Sequence, residues 1–157
     1  MSYTICFLLF GLFAADIVTS ECMNGWIRFE DSCYIFGHND VTFQDAQQFC
    51  EHFHCNLVNI GTRTEMAFLR SYLSELKAPK HWIGLTDVLI EDVWQLYPSE
   101  VSAPFVDWAH GEPNQGKTAN CAAIWESYGY HMVNEPCSDR HFRAICEKPV
   151  ETVSVVD

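Results

Sequence analysis

The spacing of apolar positions changes several times along the chain, and each change marks an element. Residues 26–29 and 34–36 are short β-prone runs around the polar Glu30-Asp31-Ser32, which predicts a hairpin. From Thr42 the period lengthens. Phe43, Ala46, Phe49, Cys50 and Phe53 recur at helical spacing, Thr42 can cap, and Asp45 suits the positive end of the helix dipole. Residues 57–60 read as a strand. Gly61 then gives way to Thr62-Arg63-Thr64-Glu65, a capping box ahead of a second helix. Its inner stripe is Leu69, Tyr72, Leu73 and Leu76, and Pro79 enforces its end. Trp82-Ile83-Gly84-Leu85 follows as a buried strand.

Beyond Asp87 the periodicity fails for roughly thirty residues, a length of irregular chain that is usually functional in a compact domain. Order returns at 121–125, 130–133 and 142–147, all strand-like. Two helices, a long irregular segment and then strands predict an α+β fold. No repeat, low-complexity tract or linker divides it, so it reads as one domain. The irregular segment holds Asp87, Glu91, Asp92, Glu100, Asp107 and Glu112, and no Lys or Arg occurs from His81 to Gly116. That local field suits a cation; on charge patterning alone it is equally a solvated acidic face.

The N-terminal segment leads to the expectation that the domain is exported. Residues 5–15 form an almost purely apolar run, too short to span a bilayer, and Val18-Thr19-Ser20 offers small residues for cleavage. Residues 1–20 are expected to be a signal peptide, 21–149 the domain and 150–157 a short C-terminal tail. The protein is then secreted, and no membrane anchor is expected, since no later stretch is long and apolar enough. Of 21 acids only Asp16 leaves with the leader, so 20 acids stand against 9 Lys and Arg, a net charge near −11. Bulk charge of that sign argues against nucleic acid as a partner. Seven cysteines remain: Cys22, Cys33, Cys50, Cys55, Cys121, Cys137 and Cys146. Pairing is the default in an oxidising compartment, and one cysteine is left over. Cys50-Glu51-His52-Phe53-His54-Cys55 hints at zinc, but on a helix His52 and His54 point about 200° apart. No hydrolase, zinc-protease or phosphate-loop motif occurs, so no enzymatic activity is expected.

Trp82-Ile83-Gly84-Leu85, then Phe105, Trp108 and Gly111, then Glu112-Pro113-Asn114, fall in order before Cys121 within a cysteine frame that ends at Cys146. In this order they resemble the motifs of the C-type lectin family, over about residues 22–148. The resemblance implies the family's fold, with two helices flanking antiparallel β-sheets and a long irregular ligand-binding loop. It implies disulfides Cys50–Cys146 and Cys121–Cys137, with Cys22–Cys33 marking the long form that carries an extra N-terminal hairpin. It also implies that Pro113 is cis and that Glu-Pro-Asn selects mannose-type sugars.

The residues support that chemistry. Calcium takes about six to eight hard oxygens and tolerates irregular geometry, so a loop can supply them. Glu112 offers a carboxylate oxygen and Asn114 an amide oxygen, and a proline between them can adopt the cis bond that aims both side chains one way. An ordinary polar turn is the plainer reading of the tripeptide. Two positions depart from the family pattern. Ala119 stands where the family carries a glutamate two residues before its cysteine. Its Trp-Asn-Asp strand aligns without gaps to Met132, Val133 and Asn134, or after a one-residue slip to Val133, Asn134 and Glu135. The two registers aim different side chains at the site. The candidate metal ligands are therefore Glu112, Asn114, Asn134, Glu135 and Asn120, a set with few charges that implies weakened calcium binding. Candidate sugar contacts are Glu112, Asn114, Asn134, Tyr128 and Tyr130; for the two tyrosines the alternative is core or edge-strand packing.

The function expected is calcium-assisted recognition of mannose-type glycans and microbial surface polysaccharides, in innate immune recognition and agglutination. The alternative is a degenerate calcium site that contacts a protein or a mineral surface, as in the shell protein perlucin. Agglutination needs at least two sites per particle. Cys55, left over from pairing, is either a free thiol or a bridge in a homodimer.

Overall fold

A computed structural model describes residues 18–154. Most of the expected leader, and residues 155–157 of the expected tail, lie outside them. In chain order the elements are β1 (Val18–Glu21), β2 (Ile27–Phe29), β3 (Ser32–Phe36), α1 (Phe43–His52), β4 (Asn56–Leu57), α2 (Arg63–Leu76) and β5 (Lys80–Thr86). There follow β6 (Gln95–Leu96), β7 (Val101–Ser102), β8 (Cys121–Trp125), β9 (His131–Glu135), β10 (Arg143–Pro149) and β11 (Glu151–Ser154).

The architecture is α+β. The main sheet runs β2-β3-β10-β5-β6-β7, with β4 joined to β10, β8 joined to β5, and β9 joined to β8. Its pairs are antiparallel except β10 with β5, where Arg143 meets His81 and Ala144 meets Trp82 in parallel. The long strand β10 therefore holds both halves together, and the sheet is mixed. Apart from it, β1, which crosses the expected leader boundary at residues 20 and 21, pairs with β11.

β5 explains why one strand is apolar without alternation: it has packing on both faces. Trp82 lies against Phe43 of α1 and Phe142, with ring centroids 5.8 and 4.3 Å away. Ile83, on the other face, joins Leu69 and Leu73 of α2 with Ile124 and Ile145. Both helices start as their sequences demand. Thr42 and Thr62 each accept the N–H three residues on, from Asp45 and Glu65, at 3.1 Å. Glu65 does not close the capping box on Thr62, however. Its two oxygens take Tyr34 Oη–H and the Gly61 N–H, each at 2.9 Å, which ties α2 to β3. Leu76 departs from the expected inner stripe. It is the last residue of α2 and 52% exposed, because the helix stops at Lys77 in the left-handed region, before Pro79.

Three disulfides, Cys22–Cys33, Cys50–Cys146 and Cys121–Cys137, are the pairs implied by the resemblance. The irregular segment leaves β5 at Thr86 and ends at Cys121 of β8, and these two residues are cross-strand partners. Inside it, Leu96 pairs with Leu85 and Val101, Trp108 bridges to Met132, and Trp94 packs on Trp108 at 4.7 Å. Gly84 marks a close approach, since a Cβ there would meet Asn59 Oδ1 at 2.3 Å and the Leu57 carbonyl at 2.8 Å. No helix among the described residues is long and apolar enough to cross a membrane.

Candidate functional site

β9 carries the site at one end. The loop is tethered to it through Ala109 N–H donating to the Met132 carbonyl at 2.8 Å, and Glu112 N–H donates to Ala109 at 3.0 Å. The Glu112-Pro113 bond is cis. Asn114 N–H then donates to Asn134 Oδ1 at 3.0 Å, while Asn134 Nδ2 donates to the Ala119 carbonyl at 2.9 Å. These partners define the amide's orientation, because only its oxygen can accept and only its nitrogen can donate. Asn134 is 1% exposed, so it serves as the internal brace of the loop. Asn114 Nδ2 donates to Glu112 Oε1 at 2.8 Å, which holds the two side chains together. Glu112 Oε2 is buried without a hydrogen-bond partner among the described residues.

The β8–β9 register sets the remaining candidates. Cys121 faces Glu135 and Ala122 faces Asn134, so alternation turns Asn134 and Val133 to opposite faces. Val133 is buried in the core with Trp82 and Phe142 and offers no oxygen. Glu135 is half-buried; burial raises its pKa, opposed by the Gln115 side chain and reinforced by the charges of Asp139 and Glu112. Gln115 also donates to the Asn134 carbonyl at 2.7 Å. The structure thus joins Glu112, Asn114 and Asn134 by hydrogen bonds, while Glu135, on the face of β9 opposite Asn134, meets the Gln115 side chain and feels the Glu112 charge.

It does not bring Tyr128 and Tyr130 there. Both lie at the far turn of the β8–β9 hairpin, four strand residues away, on the order of 13 Å. Tyr128 packs on Trp125 with ring centroids 5.3 Å apart, and Tyr130 is buried. Closeness in sequence suggested a shared surface; the length of the hairpin separates them.

A second group of oxygens borders the first. The ligand atoms of Asp87, Glu91 and Asp92 lie within 4.8 Å of one another. Asp87 is buried, which raises its pKa; its Oδ2 accepts Asp92 N–H at 3.0 Å, and its Oδ1 has no partner among the described residues. Asp87 N–H donates to the Asn120 carbonyl at 3.2 Å, and Glu91 Oε1 lies 3.6 Å from where a side chain on Gly116 would begin. Asn120 Oδ1 is buried and unpartnered as well. The sequence showed these acids in the loop, but only the turn that brings Asp92 back to Asp87 shows that they converge.

The donor set fits a hard divalent cation. Glu112, Asp87 and Asn120 each carry a buried oxygen without a partner, a costly state that a cation would relieve. Ala119 and Val133 contribute nothing to it, and the Asn134 oxygen is already engaged by Asn114. Cys55 lies elsewhere. It is the free cysteine among the described residues, 7% exposed, with its thiol donating to the Cys50 carbonyl at 3.1 Å. Burial pushes that thiol up to about 11.

The Lectin C-type domain model matches residues 39–148, and the chain belongs to this family. Hepatic lectin from Gallus gallus is 31% identical over 127 residues, which cover 80% of this chain and 58% of that protein. The chain therefore spans little more than half of that relative. A perlucin-like protein from Mytilus galloprovincialis is 24% identical over 80% of this chain and 82% of its own length. Among solved structures, the carbohydrate-recognition domain of the mouse scavenger receptor C-type lectin is 30% identical, with a TM-score of 0.75. That match covers 83% of this chain and all of that domain. The family is one of non-enzymatic binding domains.

Proposed function

We propose that the chain is a secreted carbohydrate-binding lectin in which Glu112 and Asn114 grip a mannose-type sugar with the help of calcium. The observation that carries this reading is the pairing of Glu112 and Asn114 across cis Pro113, with Glu112 Oε2 buried and unpartnered beside it. In this reading Glu112 accepts a hydrogen bond from one sugar hydroxyl and Asn114 Nδ2 donates to its neighbour. Asn134 keeps Asn114 aimed, and Glu112, Asn114, Glu135 and Asn120 supply oxygens to the ion. Asn134 adds one only through its second lone pair. A bound calcium ion would supply the positive charge that draws the same two hydroxyls to these side chains. Asp87, Glu91 and Asp92 would hold a further ion against the back of the loop. Weak single-site binding becomes useful on repetitive microbial polysaccharides, where several sites act together in agglutination.

Binding of the refolded domain to immobilised mannan, in calcium and then in EDTA, tests this. The double variant Glu112→Gln, Asn114→Asp runs alongside. Retention that needs both calcium and the native pair supports the lectin; retention unmoved by EDTA or by the variant refutes it.

A second reading has its own observation. Ala119 and Val133 are buried apolar residues where the family's pattern puts oxygen ligands. A site so reduced suits a domain that contacts a protein or a mineral surface. Thermal stability separates the two, because a specifically bound ion raises the melting temperature by mass action and diffuse acids do not.

A further inference from the structure

Val88, Leu89 and Ile90 stand in succession at 58, 60 and 58% exposure, one residue beyond the end of β5. Single exposed apolar side chains are ordinary, but a contiguous set beside a cavity marks a contact surface. Val88 and Leu89 border a cavity of about 230 Å3 whose other walls include Phe43, Leu96 and Tyr97. Val93 and Val101, on the flanking loop and β7, are also exposed.

Acidic side chains border this apolar set. Glu91 and Asp92 follow Ile90, Glu100 lines the cavity, and no lining residue is Lys or Arg. Among the described residues, none of these three acids is in an ion pair. An occupant must bury aliphatic surface and bring positive charge to the rim. Anionic headgroups would meet these acids unfavourably, so charge argues against a lipid surface.

We propose that this patch docks a cationic amphipathic peptide segment of a protein partner. The segment's apolar side chains, at helical spacing, would cover Val88, Leu89 and Ile90 and enter the cavity. Its Lys and Arg side chains would meet Glu91, Asp92 and Glu100. The surface shares no residue with the Glu112–Asn114 pair, but it shares Glu91 and Asp92 with the second group of oxygens, so the peptide competes there with a cation and is tested without one.

The test is fluorescence anisotropy of a labelled amphipathic Leu/Lys peptide, about four helical turns long, against the whole secreted chain in EDTA. A Leu/Lys peptide of scrambled pattern and a patterned Leu/Gln peptide are the controls. Val88→Ser with Leu89→Ser removes apolar surface, and Asp92→Asn with Glu100→Gln removes charge. Leu76→Ser removes an exposed apolar residue at the end of α2. All five positions are exposed, and circular dichroism checks that each variant is folded. The patterned Leu/Lys peptide is expected to bind, and each double variant to weaken it about tenfold or more. Leu76→Ser should leave binding unchanged, and added salt should weaken it. The proposal is overturned if the serine pair binds like the parent, if the scrambled peptide binds equally, or if no patterned peptide binds. It is also overturned if phosphatidylcholine/phosphatidylserine vesicles, rather than the peptide, bind through Val88 and Leu89.

Discussion

Asn134 Oδ1 accepts the backbone N–H of Asn114 at 3.0 Å, so a fully buried strand residue positions one that stands at the surface. Replacing Asn134 by Leu leaves the Asn114 N–H and the Ala119 carbonyl without partners. We expect a loss of about 1–3 kcal/mol and of mannan retention, read by thermal melting and by the immobilised-sugar assay. Asn134→Asp keeps the acceptor but turns a carboxylate oxygen toward the Ala119 carbonyl. It should melt below the parent in EDTA and recover more than the parent in calcium.

His81 is 2% exposed, and burial, reinforced by the Arg143 charge, lowers its pKa from 6.5 to about 3. The neutral ring is the form that fits the fold. Its contribution to stability is complete above pH 6.5 and falls away as pH drops from 6.5 toward 3. Burial raises the pKa of Glu65 and Glu135, which works in the opposite direction, so the comparison must be between variants. His81→Leu should lose less stability than the parent between pH 7 and pH 4, measured by urea midpoints on the same buffers.

Gly84 sits where β5 passes beneath the loop, accepting Tyr97 N–H at 2.9 Å and donating to the Val58 carbonyl at 2.8 Å. A methyl group there would press on backbone and on Asn59 together. Gly84→Ala should cost roughly 1–3 kcal/mol, seen as a lower urea midpoint. Unchanged stability would mean that the loop and β4 move apart freely.

Cys55 should be unreactive in the folded chain, given its burial and its raised pKa. Maleimide labelling is expected only after denaturation, and non-reducing electrophoresis should show no Cys55-linked dimer. Cys55→Ala should change stability by no more than about 1 kcal/mol, the worth of one modest hydrogen bond.

Much of this was legible in the chain. The two Thr caps, the helical stripes apart from Leu76, and the unbroken apolar run of β5 all rest on local rules that packing upheld. The site was legible in part. Glu112 and Asn114 declare themselves by flanking a proline, whereas the bracing role of Asn134 depends on the β8–β9 register, which no single strand encodes. Tyr128 and Tyr130 follow the packing alternative, on Trp125 and in the core, because the hairpin turn that carries them lies at the far end from Glu112. The Asp87 cluster needed a tertiary observation too, as Asp92 returns to it through a left-handed backbone at φ 63°.

Thr86 and Cys121 being direct partners means that the long segment begins and ends at a single rung of the sheet. A chain that departs and returns at one rung adds little strain as it grows, since doubling its length costs only about 0.6 kcal/mol in closure entropy. The core beneath it, built from Trp82, Phe142, Leu69 and Ile145, takes Leu96, Tyr97 and Trp108 of the excursion as partners, while Asp92, Glu100 and Asn114 stand at the surface. Changes of length and of ligand chemistry can accumulate at its exposed turns while the packed stretches between them hold the scaffold, leaving recognition free to evolve on a foundation that stays still.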